Sequence, residues 1–177
     1  MTLPQEKLFT IDDIYALPDG QRAELVDGVM HMMAPPGRKH QDLVSFLLLE
    51  IGNFIRTKKG DCKVYPAPFA VFLNKDDRTY VEPDISVICD KSKLDDRGCN
   101  GAPDWIIEIV STGSKKMDYF TKLFKYRTAG VREYWIVDPN KNRVTVYNFA
   151  IDDGEEYALS DEIPVGIYDG DLKIRIE

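Results

Sequence analysis

The chain has 177 residues, 44% hydrophobic and 30% charged, with a net charge of −7, the balance of one soluble globular domain spanning residues 1–177. No apolar run is long enough to cross a bilayer, and residues 1–6 lack the basic-then-apolar pattern of a secretion signal, so a cytoplasmic protein with no membrane partner is expected. The acidic charge disfavours coating of nucleic acid through a bulk positive field, although one local basic patch would suffice for binding.

Thr10 caps a short predicted helix that stops at Pro18-Asp19-Gly20. Two apolar stretches, residues 23–26 and 29–33, flank Asp27-Gly28, a strong signal for a two-residue hairpin. A break at Pro35-Pro36-Gly37 precedes a predicted helix over residues 39–58, whose Leu43, Phe46, Leu47, Ile51, Phe54 and Ile55 keep a helical period. Residues 63–73 contain Pro66 and Pro68 and read as a bent or edge strand. Residues 81–89 and 105–110 are near-continuous apolar runs, as expected of central strands covered on both faces, and residues 90–103 between them read as a charged loop. A helix over residues 115–129 is capped by Gly130 and followed by a buried strand at 133–137, a turn at 139–142 and a strand at 143–147. Strand-like pieces recur near residues 156–159 and 172–176. The order predicts an α/β or α+β fold, a mixed central sheet flanked by helices.

Cys62, Cys89 and Cys99 are odd in number and lack a Cys-x-x-Cys pair, which argues against a zinc site or a disulfide scaffold. His31 and His40 are the only histidines, so any metal would be held mainly by oxygen, which favours magnesium or manganese.

Two carboxylates sit in apolar strands: Asp84 after Pro83, and Glu108 between Ile107 and Ile109. Burying such a group is costly unless it is paired or binds a metal. Each has an ordinary explanation. Asp84 can be a solvated residue at a strand's start, and Glu108 can be ion-paired in the core. Lys122 shares a helix face with Asp118 and Tyr126, and a plain Asp118–Lys122 helical pair contributes only tenths of a kcal/mol. Phe120, Leu123 and Phe124 are read as the face that anchors this helix, so loss of Lys122 alone should leave the fold largely intact. Taken together, two carboxylates can hold a hydrated magnesium beside a phosphodiester, and a lysine can neutralise charge developing on the phosphate. His40 lies near a helix start, where capping or surface roles are common. Gln41 and Tyr126 could support a site, whereas Tyr134 and Trp135 read as core. Arg38-Lys39 and Lys115-Lys116 are the candidates for phosphate-backbone contacts.

The segments Glu24-Leu25-Val26-Asp27-Gly28, Pro83-Asp84-Ile85, Ile107-Glu108-Ile109-Val110-Ser111, residues 118–126 and residues 129–139 resemble, in order, the Uma-type family of restriction-endonuclease-like proteins. The resemblance implies the PD-(D/E)XK nuclease fold, with an N-terminal hairpin and C-terminal strands added to the mixed sheet. In the parent motif a lysine stands two residues after the second carboxylate, where this chain has Val110. In this family the lysine has moved onto the following helix, where Lys122 matches. The resemblance therefore implies Asp84 and Glu108 as metal ligands, Lys122 as the catalytic lysine and Glu24 as a further acidic site residue. The cofactor it implies is Mg²⁺, with Mn²⁺ as a substitute, and the partner is DNA, with a homodimer admissible. After Ser111 the family often has proline, whereas this chain has Thr112-Gly113. The implied activity is hydrolysis of DNA phosphodiester bonds; the alternative is a non-catalytic interaction or regulatory module on the nuclease fold.

Overall fold

A computed structural model describes residues 7–114 and 116–176. The contact expected of Lys115 lies outside the described residues. Helix α1 (Ile11–Tyr15) starts at Thr10, whose amide donates to the Asp13 carboxylate at 2.8 Å. Strands β1 (Arg22–Val26) and β2 (Val29–Met33) form the expected hairpin. Asp27 (φ 51°) and Gly28 (φ 80°) take the left-handed backbone that a two-residue turn requires. Helix α2 (Arg38–Thr57) buries Val44, Leu47 and Ile51, the inward stripe of its apolar period.

The strands β3 (Lys63–Pro66), β4 (Ala70–Phe72), β5 (Ile85–Ile88), β6 (Leu94–Asp95), β7 (Gly98–Asn100) and β8 (Trp105–Ile109) follow. A π-helical turn (Met117–Lys122) runs into α3 (Leu123–Ala129), and Gly130 closes that helix with φ 95°. The chain ends with β9 (Glu133–Asp138), β10 (Arg143–Asn148), β11 (Asp153–Ala158) and a small hairpin of β12 (Ile163–Pro164) and β13 (Lys173–Ile174).

The central sheet has the order β11-β10-β9-β8-β5-β3. The β8–β9 pair is parallel, bridged by the crossover that carries α3, and its neighbours pair antiparallel. The mixed sheet with flanking helices is the expected fold. β3 lies at the sheet edge, where Pro66 sacrifices no interior hydrogen bond. One face carries Ile85, Val87, Trp105, Ile107, Ile109, Trp135 and Val137 against α2 and the C-terminal hairpin. The other face carries Ile88, Ile106, Val110, Tyr134 and Ile136 against Tyr126 of α3 and the β4 region.

Three details depart from the sequence expectation. Residues 90–103 are not plain loop: β6 and β7 join β4 in a three-stranded sheet. Strands of two or three residues carry no readable period, but Gly98 explains the close approach, since a Cβ there would stand 2.2 Å from the Ala70 carbonyl oxygen. The strand expected from residue 81 begins only at Ile85; residues before Pro83 form isolated bridges from Leu25 to Tyr80 and from Val71 to Val81. Finally, Cys62 and Cys89 form a disulfide and Cys99 is free and buried. The β3–β5 register, with Lys63 opposite Ile88, sets Cys62 opposite Cys89, a long-range proximity that the spacing of the cysteines could not reveal.

Candidate active site

Register brings the two strand carboxylates together. In the antiparallel β5–β8 pair, Ile85 faces Ile107, so the next step along sets Asp84 opposite Glu108 on the same face. The Asp84 amide donates to Glu108 Oε2 at 3.3 Å, and the Ile109 amide donates to Asp84 Oδ2 at 2.7 Å. Asp84 and Glu108 thus lie on neighbouring segments of the sheet and share a face. Asp84 Oδ2 also meets His40 Nε2 at 3.0 Å, so His40 enters the site rather than serving only as a surface or capping residue. Both contacts fall on Oδ2, which leaves Oδ1 without a hydrogen bond among the described residues.

The hairpin supplies Glu24. Leu25 exchanges backbone hydrogen bonds with Tyr80, and the Glu82 amide donates to Glu24 Oε1 at 2.9 Å. Glu82 is itself held by Arg22 and by the Tyr80 hydroxyl at 2.7 Å. These ties dock β1 beside Asp84 and deliver the Glu24 carboxylate to the interior.

The helix is turned the opposite way from the sequence expectation. Phe120 and Phe124 are 70% and 62% exposed, while Asp118 and Lys122 are 1% and 5% exposed and Tyr126 is fully buried. Lys122 Nζ lies 2.8 Å from Glu24 Oε2, 2.8 Å from Glu108 Oε1 and 3.8 Å from Asp118 Oδ1. The Tyr126 hydroxyl donates to Glu108 Oε1 at 2.7 Å. The polar face points inward, where Glu24 and Glu108 supply ion-pair partners for Lys122, and Phe120 and Phe124 are left facing solvent. Lys122 is thus a buried counter-ion, and its loss would strand carboxylates in the interior instead of leaving the fold largely intact.

Charge is unbalanced here. Glu24, Asp84, Glu108 and Asp118 face a single lysine, with His40 at the margin. Burial raises the Glu108 pKa well above its usual range, and the Asp118, Asp84 and Glu24 charges add to this while Lys122 opposes it. Burial likewise pushes Asp118 up to about 6, with Lys122 again opposing. For Lys122 burial alone would lower the pKa, but Glu108, Glu24 and Asp118 overcome it and hold the ammonium fully charged. Burial also lowers His40, and the Asp84 hydrogen bond reverses that to a net rise.

The donor set suits a hard divalent cation. It consists of carboxylate oxygens, it carries excess negative charge, and both Asp118 oxygens are buried without a close hydrogen bond among the described residues. Among the described residues no three His, Cys, Asp or Glu side chains close on one point as a ready-made cage. Two carboxylates and water are what the pocket offers, a coordination that magnesium accepts.

The group lines a cleft of about 620 Å³, walled by Met30–Gly37 of the hairpin exit, by α2 at His40, Gln41 and Val44, and by Ser111, Gly113, Ser114, Met117 and Asp118. Sequence reasoning missed this methionine- and proline-rich wall, because a wall is a property of docking and not of any local motif. Among the described residues no helix is long and apolar enough to cross a membrane.

Comparison with known proteins agrees with this architecture. A crystal structure from Anabaena variabilis ATCC 29413, described as "a putative nuclease belonging to DUF820", superposes with a TM-score of 0.76 at 20% sequence identity, covering 94% of each chain. No curated protein matches the chain. Residues 11–163 match the family Uma2, described as "Putative restriction endonuclease". The match spans most of the sequence and includes Glu24, Asp84, Glu108 and Lys122: the chain belongs to the Uma2 family.

Proposed function

We propose that this protein is a metal-dependent endonuclease that hydrolyses DNA phosphodiester bonds, with Asp84 and Glu108 as ligands for Mg²⁺ or Mn²⁺ and Lys122 as the catalytic lysine. The observation that carries the reading is the cross-strand pairing of Asp84 with Glu108 in the lining of a cleft, with Lys122 held 2.8 Å from Glu108. A divalent cation bound there supplies Lewis-acid stabilisation of a phosphoryl oxygen and lowers the pKa of water. The protein's own groups do the rest. The Ile109 amide and His40 orient Asp84, and Tyr126 orients Glu108. Lys122, held protonated by its carboxylate neighbours, acts as a fixed positive charge for the pentavalent phosphate and not as a base. Glu24 keeps that ammonium in place. Exposed Lys39 and Lys116 at the cleft margin are suited to the flanking phosphates.

The test is cleavage of supercoiled, linear duplex and single-stranded DNA with Mg²⁺ or Mn²⁺, beside Glu108→Ala and Asp84→Asn. Cleavage by the wild type that both variants and EDTA abolish is expected. Cleavage that survives either substitution overturns the assignment. The net charge of −7 favours the second reading, a non-catalytic nuclease-fold module; a wild type that binds DNA yet cuts no form of it would establish that one.

A further inference from the structure

Asp118 is the group in the cleft that this reading leaves without a task. Its carboxylate is 1% exposed, lines the cleft beside the Ser114 side chain, and makes no close hydrogen bond on either oxygen among the described residues. A buried carboxylate in that condition is destabilising, and it persists where another state of the protein makes use of it. The nearest cation is Lys122 Nζ at 3.8 Å, compared with 2.8 Å to both Glu24 and Glu108. Both residues belong to a π-helical turn, a feature that recurs at functional sites. The lysine side chain is a flexible stem that can swing its ammonium by that margin.

We propose that Asp118 is a positioning residue for Lys122: when a divalent cation takes Glu108, the ammonium leaves Glu108 and moves onto Asp118 while keeping its hold on Glu24. The inference rests on the metal site proposed above. Glu108 Oε1 already accepts from both Lys122 and Tyr126, so a cation arriving there competes with the ammonium and repels it. Asp118, with no close hydrogen bond on either oxygen among the described residues, receives the displaced charge within the same pocket. Without it, the ammonium would be left to Glu24 alone and would resist the incoming cation.

The experiment is calorimetric titration of Mn²⁺ into wild type and Asp118→Asn, thermal melts of both with and without Mn²⁺, and a crystal structure of the wild type with Mn²⁺. Asp118→Asn should bind Mn²⁺ about tenfold more weakly, the scale of an outer-shell partner. Its metal-free melting temperature should hold or rise, because a buried unpaired charge is removed. A residue that merely props the fold would lower it. In the Mn²⁺ crystal, Lys122 Nζ should lie within hydrogen-bonding distance of Asp118 and away from Glu108. Equal Mn²⁺ affinity in the two proteins overturns the handover while the metal site stands, and so does a Mn²⁺ ion bonded directly to Asp118. A wild type that binds no Mn²⁺ overturns both. The wild-type crystal reads the lysine directly even if the variant fails to fold.

Discussion

The two faces of the central sheet bury opposite chemistry with the same strands. On the α2 side, Ile107, Ile109, Trp105 and Trp135 meet Leu47 and Ile51 in an apolar cluster, beside which the buried Glu133 carboxylate accepts from Trp135 Nε1. On the α3 side, Ile106 and Val110 flank Glu108, which faces Lys122, Asp118 and Tyr126. Alternation along β8 separates the two by a single residue step. The apolar cluster depends mainly on shape and area, and the one acid noted beside it, Glu133, is held by the Trp135 indole and the Ile167 amide. The charged face depends on each member being paired, so the loss of one partner is felt by all the rest.

That contrast can be broken most severely at Lys122. Lys122→Met should cost about 3–5 kcal/mol in urea unfolding, the penalty for stranding buried carboxylates. The cost should shrink on acidification, as those carboxylates take up protons. Ile107→Ala on the apolar face should cost about 2–5 kcal/mol through its cavity, and that figure should not move with pH or added Mn²⁺. If both losses respond alike to pH, the two faces are not the separate systems described here.

Asp118 sharpens the comparison through linkage. Its pKa of about 6 lies above the ordinary 3.8, so the folded protein holds this proton more tightly than the unfolded chain. The stability it contributes is fully present below about pH 4 and lost as pH rises through about 6. Glu108 and His40, also raised, act in the same direction. Metal-free melts should therefore fall across this window in the wild type and fall less steeply in Asp118→Asn. Tyr126→Phe should cost about 1–3 kcal/mol by removing the hydroxyl that donates to the buried Glu108. Lys125→Ala, which breaks a pair with the exposed Asp27 carboxylate, should cost under about 1 kcal/mol and vanish in high salt.

Much of the fold follows from local sequence. The Asp27-Gly28 hairpin, the α2 stripe, the prolines that place β3 at an edge and the apolar runs of β8 and β9 all report interactions between near neighbours. The site was legible in part: Asp84 and Glu108 stood out as acids within apolar strands, and Lys122 by family pattern. What the sequence could not decide is which way the π-turn and α3 would face. Phe120 and Phe124 looked like the anchor, since helix periodicity weighs only the side chains of that helix. The tertiary structure turned them outward because Glu24, 98 residues from Lys122, and Glu108 together supply a charged partner in the interior. The same long-range register joined Cys62 to Cys89 and brought His40 to Asp84. Local pattern fixes what each segment can become; pairing between distant charges and strands decides which of its faces is buried.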